Sequence, residues 1–368
     1  MFDTTKKSLK ELLADTQTGK LQLPDFQRGW VWDDDHIKSL LTSVSLSYPI
    51  GTIMLLQTGG DEVRFKSRPI EGIKSEGLAN AENLILDGQQ RLTSLFQALF
   101  SDKVVDTRDA RKKFIKRWYY IDMRKAVDPH ADREDAIISL SENRQLLNFR
   151  GEVIIDCSTP EKEYEALFFP LAKVFDSAPW RLEYQKYFWQ SDPEKVMFFN
   201  TFESEVIQPL IGYHIPVIVL SKSTPKEAVC QVFEKVNTGG VSLTVFELLT
   251  ATFAASDFDL RKDWQLREAQ LRRRSTQTGR MLYPVLFGLQ SDDFLQAVTL
   301  LMTWSKRKNM LASGKTPDEA SGVSCKRKDI LNLQLEDYRR WADSVTKGFE
   351  KAARLLQEEK VLTARDLP

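Results

Sequence analysis

Residues 82–95 constrain the fold of this chain most, because the hydrophobic period changes within them. An apolar run at 84–86 ends at Asp87 and Gly88, which is typical of a buried strand entering a tight turn. From Gln89 onward, apolar residues recur at helical spacing. The pattern therefore predicts a strand, a sharp corner and a helix that begins close to Gly88, with Asp87 near its N-cap.

Polar side chains are concentrated at this corner. Consecutive residues 87–91 carry a carboxylate (Asp87), two carboxamides (Gln89 and Gln90) and a guanidinium (Arg91). A helix N-terminus offers unpaired N–H groups and partial positive charge, so it is a natural site for an anion. The alternative is a capped turn with solvated polar residues. We favour a functional site because these groups all lie together.

A second polar cluster comes earlier in the chain, after Pro24. Gln27 and Arg28 lie close to two tryptophans, Trp30 and Trp32. An arginine among aromatic side chains is usually buried against an anion or a carboxylate, so we expect this of Arg28. The tryptophans fit core or lid positions better than base-stacking positions when each is taken by itself.

The rest of the pattern predicts an α+β first part and a helical second part. A short helix is expected to open the chain, and residues 124–150 to form a helical excursion or a variable loop. The aromatic residues within 151–212 are expected to be core. Further strands are predicted at 51–57, 152–156 and 215–220.

Two other stretches leave their role open. Residues 111–122 start basic and end as a strand, so their cations could contact phosphates or simply mark the solvated start of that strand. At 237–240, Asn-Thr-Gly-Gly ends a helix that starts at Thr224 and Pro225. That turn is either a connector or a place where a ligand can approach the backbone closely.

Length and composition suit two domains, which we place at residues 1–256 and 257–368. No apolar run approaches the roughly 20 residues that span a bilayer, and the N-terminus lacks the apolar core of a signal peptide, so a cytoplasmic protein is expected. The three cysteines are widely spaced, which favours reduced thiols over a disulfide framework or a zinc cluster. The chain stops directly after a helical pattern, which indicates a truncated helical domain.

The net charge of zero conceals an asymmetry. Residues 257–368 hold 21 Lys and Arg against 16 Asp and Glu, so this part carries +5 and the remainder −5. Surface solvation and a surface that faces nucleic acid remain equal alternatives for its basic triplets. These triplets are at 272–274, 306–308 and 326–328.

Three motifs stand in a fixed order along the chain. They are Phe26-Gln27-Arg28 with the two tryptophans after it, Asp87-Gly88-Gln89-Gln90-Arg91-Leu92-Thr93, and Phe233-Glu234-Lys235-Val236-Asn237-Thr238-Gly239-Gly240. Together they resemble the N-terminal domain family of GmrSD-type modification-dependent restriction systems, to which the phosphorothioate-sensing SspE proteins also belong. The resemblance covers roughly residues 8–256. It implies a ParB/sulfiredoxin-like mixed-sheet domain followed by an all-helical region.

For function, the resemblance implies an NTP-binding and NTP-hydrolysing module that senses modified DNA and controls an HNH nuclease. Mg²⁺ would be the cofactor, with the NTP as substrate. His36, His130 and His214 are far apart and form no HNH cluster, so the nuclease is expected beyond Pro368 or in another chain. No Walker-type phosphate loop occurs, which argues against a P-loop mechanism. The oligomeric state stays open, with a homo-oligomer among the alternatives.

The resemblance also implies roles for the motif residues. Arg91, and with it Arg28, would neutralise phosphate oxygens, while Asp87 would hold the metal ion or orient the attacking water. Gln89 and Gln90 would position that water or cap the phosphates. The expected nucleotide pocket is completed by Gln27, Gly88, Thr93, Asn237, Thr238, Gly239 and Gly240.

The expected DNA-sensing residues are Phe26, Gln27 and Trp30. Many relatives have a tyrosine at the position of Phe26, whose ring lacks the hydroxyl, so phosphorothioate specificity is not implied for this chain. Two other functions stay open. One is an adaptor that binds nucleotide and DNA without turnover; the other is a ParB-like fold that itself cuts DNA.

Overall fold

The computed structural model describes residues 2–60, 65–225, 228–229, 231–232, 244–254, 256–274, 279, 281–361 and 363. The chain divides into two compact units. The first comprises Met1–Gly60 and Ser67–Ser223, and the second comprises Asp61–Lys66 and Thr224–Pro368. No helix among the described residues combines the length and apolar character needed to cross a membrane.

The strands of the described residues all lie in the first unit. They are β1 Phe2–Ser8, β2 Leu21–Pro24, β3 Ile53–Gln57, β4 Ser67–Arg68, β5 Asn83–Asp87, β6 Val105–Arg108, β7 Phe114–Asp122, β8 Ile137–Leu140, β9 Gln145–Leu147, β10 Val153–Asp156, β11 Phe168–Pro170 and β12 His214–Leu220. Its helices are α1 Leu9–Thr18, α2 Asp34–Ser45, α3 Gln89–Leu99, α4 Met123–Val127, α5 Arg133–Ala136, α6 Pro160–Ala166, α7 Ser177–Phe188, α8 Pro193–Phe202 and α9 Gln208–Ile211. A 3₁₀ turn at Leu171–Asp176 and a π turn at Glu203–Ile207 connect some of them.

The main sheet has six strands in the order β1-β12-β3-β5-β2-β4 and is mixed. Its parallel pairs are β12 with β3 and β2 with β5, and its other pairs are antiparallel. A second sheet has the order β11-β7-β6, with β8 also paired to β7, and β9 and β10 form a two-stranded ribbon. An α+β first part is therefore confirmed.

The start of the chain differs from the expectation of an opening helix, because β1 precedes α1. Six of the seven residues of β1 are polar, and most of the strand is exposed, so it shows no apolar pattern. It forms because its whole length pairs with β12, from Phe2 opposite Leu220 to Ser8 opposite His214. Ser8 then caps α1 by accepting a hydrogen bond from the N–H of Glu11.

Residues 124–150 also differ from the expected helical excursion or loop. They contain the short helices α4 and α5, but also the strands β8 and β9. β8 adds to β7 from Ile137 opposite Ile121 to Leu140 opposite Trp118. Whether so short a segment forms a strand depends on the strand that it pairs with, because it contains too few residues to show a hydrophobic period of its own.

Most aromatic residues within 151–212 form core, as predicted, although Tyr187 and Trp189 are exposed. Trp180, Tyr184 and Phe199 are buried and pack against each other. A carboxylate lies within this core, because Glu163 is only 3% exposed. Its oxygens accept hydrogen bonds from the Tyr120 hydroxyl and from Trp180 Nε1, each at 2.8 Å.

The second unit is helical in its described residues, apart from an isolated bridge between Arg274 and Met281. Its longer elements are α10 Val245–Ala254, α11 Leu260–Leu271, the 3₁₀ turn Pro284–Gly288, α12 Ser291–Ala312, α13 Arg327–Leu331 and α14 Leu335–Glu358. The division of the chain lies before α10, whereas we expected a boundary at 256/257. The reason is that Phe246, Leu249 and Phe253 of α10 belong to the core of this unit.

Several cations of the basic triplets serve this unit internally. Arg272 forms an ion pair with Glu268 at 2.7 Å and donates to the carbonyl of Leu289. Arg307 donates to the carbonyls of Ala320 and Ser321 at 2.8 and 3.1 Å. These contacts give the two arginines a structural role that does not require nucleic acid.

Candidate functional site

The predicted strand, corner and helix are confirmed, as β5, Gly88 and α3. Gly88 is the N-cap of α3 and has a φ of 90°, a conformation that favours glycine. A Cβ at this position would lie 3.0 Å from Cγ1 of Ile53, which also leaves little space. Asp87 lies one residue before the N-cap, and no side chain caps the first turn. The N-terminus of α3 therefore keeps the partial positive charge that suits an anion.

Asp87 and Arg91 form an ion pair across the first turn of α3. Nη2 of Arg91 lies 3.1 Å from Oδ2 of Asp87, and the Arg91 and Asp87 side chains are 19% and 33% exposed. The guanidinium also donates to the carbonyls of Ile50 and Thr52, at 2.5 and 3.1 Å. Arg91 is thus held in place by the segment before β3, and it fixes the carboxylate of Asp87 in turn.

Gly51 lies between the two carbonyls that Arg91 contacts, and we predict a large effect of Gly51→Ala. Its φ is 91°, and a Cβ would lie 2.3 Å from Nη1 of Arg91, so the guanidinium must move. We expect a loss of about 2 to 3 kcal/mol in the free energy of unfolding, from backbone strain and from lost hydrogen bonds. Urea denaturation would measure it.

Gly77→Ala is the matched control for this prediction. Gly77 also has a positive φ, of 75°, but a Cβ added there would meet nothing within 4 Å, so only the backbone strain is shared. The control should lose about 1 kcal/mol. Equal losses in the two variants would contradict the idea that the close approach of Arg91 requires glycine at position 51.

Both carboxamides of the corner contact the backbone of residues 25–32, which we call the sensing loop after the role that the resemblance predicts for it. Nε2 of Gln89 donates to the carbonyl of Arg28 at 2.7 Å. Gln90 forms two bonds, since its Nε2 donates to the carbonyl of Gly29 at 3.2 Å and its Oε1 accepts from the N–H of Val31 at 2.9 Å. The first residues of α3 therefore position the sensing loop.

Gln27 completes this arrangement from the side of the loop. Its Nε2 donates to the carbonyls of Ile85 and Leu86, at 2.8 and 3.1 Å, so the loop is attached to the last residues of β5. Its Oε1 is buried without a hydrogen-bond partner among the described residues, and the same holds for Oγ1 of Thr93. Thr93 is fully buried, so it does not face solvent at the corner.

Three residues that help to hold the sensing loop, Arg68, Glu71 and Ser94, were not predicted from the sequence. Trp30 donates its backbone N–H to Oε1 of Glu71 and its Nε1 to Oγ of Ser94, both at 3.0 Å. Arg68 pairs with Glu71 at 3.1 Å and donates to the carbonyl of Gln27. Ser94 directly follows the corner motif, which was a usable signal, but Arg68 and Glu71 lie in a stretch without any pattern.

Arg28 is exposed, so the expectation that it is buried against an anion or a carboxylate was wrong. Its backbone carbonyl is used by Gln89. Among the residues that the structure describes, its guanidinium has neither an ion pair nor a hydrogen bond. At positions 28, 29 and 31 the corner contacts backbone groups of the loop, and this leaves the Arg28 side chain available for an anion.

The remaining predicted site residues can be placed only in part. Phe26 is half-buried in the sensing loop. Asn237, Thr238, Gly239 and Gly240 lie outside the described residues, so their predicted role stays a prediction. Within the part of the chain that the structure describes, no group of three or more His, Cys, Asp and Glu side chains could hold a metal ion.

The sequence matches the family described as "GmrSD restriction endonuclease, N-terminal domain" over residues 9–254. That match covers more than half of the chain, so the chain belongs to this family and the resemblance of its three motifs is confirmed. A protein of Methanocaldococcus jannaschii named "Uncharacterized protein MJ0686" is 31% identical over 268 residues. These residues are 70% of this chain but 43% of that protein, so the chain spans less than half the length of this relative.

Proposed function

We propose that this chain is the NTP-binding and NTP-hydrolysing sensor module of a prokaryotic modification-dependent restriction system that acts against phage. Membership of the restriction-endonuclease N-terminal domain family supports a role in a restriction system. The observation that carries the nucleotide site is the Asp87–Arg91 ion pair beside the uncapped N-terminus of α3. The mixed six-stranded sheet with its helices supports the further proposal of a ParB/sulfiredoxin-like fold.

The phosphates would bind at the first turn of α3, where N–H groups and the helix dipole favour negative charge. Arg28, whose side chain is exposed, would add a cation. Asp87 would orient the attacking water and accept its proton, and Arg91 would keep the carboxylate in position. Gln89 and Gln90 would act through the sensing loop, since their carboxamides are bound to its backbone.

A Mg²⁺ ion fits this set of side chains as a companion of the nucleotide. Such ions are commonly held by one or two carboxylates together with substrate phosphates and water. Asp87 is the carboxylate that would hold it, because its side chain is 33% exposed and only Oδ2 is engaged by Arg91. When bound, the ion would neutralise charge on the phosphates.

DNA that carries a modification is the proposed second partner, and the cytoplasm is the proposed place of action. The half-buried Phe26, with Gln27 and Trp30, would form the part of the sensing loop that meets the modification. An HNH nuclease, beyond Pro368 or in another chain, would be the controlled partner. A homo-oligomer is compatible with this arrangement.

The test is phosphate release from each of the four NTPs, with Mg²⁺ or with EDTA, and with modified or unmodified duplex DNA. We expect Mg²⁺-dependent turnover of at least one NTP and a change in rate when modified DNA is added. Nicking of the DNA by this chain alone would support the alternative of a ParB-like nuclease.

A non-catalytic adaptor is the second candidate, and one observation favours it. Gln89, Gln90 and Arg91 already use their side chains on backbone groups of this unit, so fewer donors remain for a transition state. Nucleotide binding by calorimetry without any phosphate release would establish the adaptor and exclude the hydrolase.

A further inference from the structure

β7 is the central strand of the second sheet, and its first residues form a two-stranded part of that sheet. Its later residues pair with β8 and β11, from Trp118 to Asp122. Its first residues pair with β6 alone, from Arg108 opposite Phe114 to Val105 opposite Arg117. Residues 105–117 therefore form an antiparallel hairpin, which we call the basic ribbon, with its turn at 109–113.

The basic ribbon is attached to the segment that follows the sensing loop. Val105 and Thr107 are buried, and Oγ1 of Thr107 donates to the carbonyl of Trp32 at 2.9 Å. Nε of Arg117 lies 3.9 Å from Oδ2 of Asp34, in the first turn of α2. One face of the ribbon is thus fixed against the chain two residues after Trp30, and the other face is left to solvent.

The turn of the ribbon concentrates positive charge. Residues 108–114 contain Arg108, Arg111, Lys112 and Lys113 with one carboxylate, that of Asp109. Asp109 shapes the turn, because its Oδ1 accepts from the N–H groups of Arg111 and Lys113, both at 2.9 Å. None of the four cations has an ion pair among the described residues.

Lys116, two residues after Phe114, differs from the cations of the turn. Lys116 forms an ion pair with Glu142 at 2.6 Å, and it lies opposite Asp106 in the register of the strands. The ribbon is therefore close to neutral along its length and basic at its turn. Positive charge concentrated at the turn suits a contact that the turn alone makes. Solvation of the start of the strand would not require such a concentration.

An exposed aromatic ring lies beside these cations. Phe114 is 75% exposed, and the guanidinium of Arg108 lies 4.7 Å from the centre of its ring. A cation over an aromatic face is stabilised by the ring quadrupole, so this pair orders Arg108 at the surface. The turn thus presents one ordered and three unpaired cations next to a flat apolar group.

We propose that the turn of the basic ribbon binds the phosphate backbone of duplex DNA and brings the duplex to the sensing loop. This rests on the proposed function in so far as DNA is the partner. The major groove of B-DNA admits a two-stranded β-ribbon, and cations at the end of such a ribbon reach phosphates on its walls. The Thr107–Trp32 contact ties this surface to the loop that would meet the modification.

The test uses the variant Arg111→Gln/Lys112→Gln/Lys113→Gln and an unmodified 20-base-pair duplex, without nucleotide, over a series of salt concentrations. Each phosphate contact contributes about 0.9 to the slope of log affinity against log salt, so the slope should fall by about 2 to 3. Affinity at low salt should fall by about tenfold or more. Arg108 is left unchanged because it packs on Phe114.

The matched control removes the same charge elsewhere in the first unit. Lys6, Lys74 and Lys103 are exposed, so Lys6→Gln/Lys74→Gln/Lys103→Gln lowers the net charge equally without touching the ribbon. Equal losses in the two triple variants, an unchanged slope in the ribbon variant, or no duplex binding by the unaltered chain would each overturn the proposal. Competition by polyglutamate as strong as that by duplex of equal charge would overturn it too, by assigning the surface to an acidic protein instead.

Failure of this inference can be told apart from failure of the proposed function. Phosphate release without DNA depends on the corner at 87–91 and not on the ribbon. If the ribbon variant binds duplex normally and the protein releases phosphate, the inference is overturned and the proposed function stands. The unaltered protein could instead bind duplex and hydrolyse no NTP, while the ribbon variant loses duplex binding. That result would keep the inference and overturn the proposed NTP hydrolysis.

Discussion

Asp87→Asn is expected to lower Mg²⁺-dependent phosphate release by at least about 100-fold, because general base and metal-ligand functions both need the charged carboxylate. Asparagine keeps the size of the side chain, and its Oδ1 can still accept from Nη2 of Arg91. The ion pair is partly exposed, so its loss should cost only about 0.5 to 1 kcal/mol of unfolding free energy. The folded protein should therefore lose activity and keep its stability.

The measurement is kcat and KM for phosphate release, together with urea denaturation of the same preparation. Asp102→Asn is the matched control, since this carboxylate is 66% exposed in a surface pair with Lys173 and lies away from the corner. Turnover within about threefold of the unaltered protein would remove Asp87 from the catalytic role. Nucleotide binding that survives in the variant would separate binding from hydrolysis.

Arg91→Ala would be a less informative experiment at the same corner. Besides the pair with Asp87, it removes the donors to the carbonyls of Ile50 and Thr52. A loss of activity could then come from a displaced segment before β3 as easily as from lost phosphate contact. For this reason Asp87→Asn is the sharper test of the proposed chemistry.

Glu163→Ala is expected to cost about 3 to 4 kcal/mol of unfolding free energy, the largest loss of stability that we predict. The carboxylate is 3% exposed and accepts from Tyr120 and Trp180. Its removal leaves two buried donors without an acceptor and a cavity where the side chain was. Urea denaturation at pH 7 measures this loss. Glu165→Ala, at an exposed position of α6 itself, should lose less than about 1 kcal/mol.

The pH dependence gives this prediction a second readout. Burial raises the pKa of the Glu163 carboxyl, and the donors from Trp180 and Tyr120 oppose that effect only in part. A raised pKa contributes stability that is fully present below the unfolded value of about 4.3 and is lost as pH rises through the folded value. Glu163→Gln cannot titrate, so its stability relative to the unaltered protein should improve between about pH 4 and 7. A constant difference over that range would contradict the raised pKa.

The sequence was sufficient where local signals agreed. The change of period at 84–89 predicted the strand β5 and the helix α3, which the structure has at Asn83–Asp87 and Gln89–Leu99. The sequence was insufficient where pairing with a strand far away in the chain determines whether a segment forms a strand. β1 is polar and forms because β12 accepts it along its full length.

The candidate site shows the same limit at the level of side chains. A string of polar residues predicts that something is bound, but not whether the partner is a ligand or the chain itself. Gln89 and Gln90 were expected to contact water or phosphate, and they contact backbone about sixty residues away in the sequence. Arg28 was expected to be buried, yet it is exposed because the loop is attached through its backbone.

The contacts of the corner with the main chain at 28, 29 and 31 have a consequence for how the surface of the loop can change. Gln89 and Gln90 contact the carbonyls of Arg28 and Gly29 and the N–H of Val31, groups that almost any residue supplies. Substitutions of the side chains at 28 and 31 would therefore leave these bonds intact. The charge and shape of the loop surface at these two positions can therefore change while the corner that supports the loop stays unchanged.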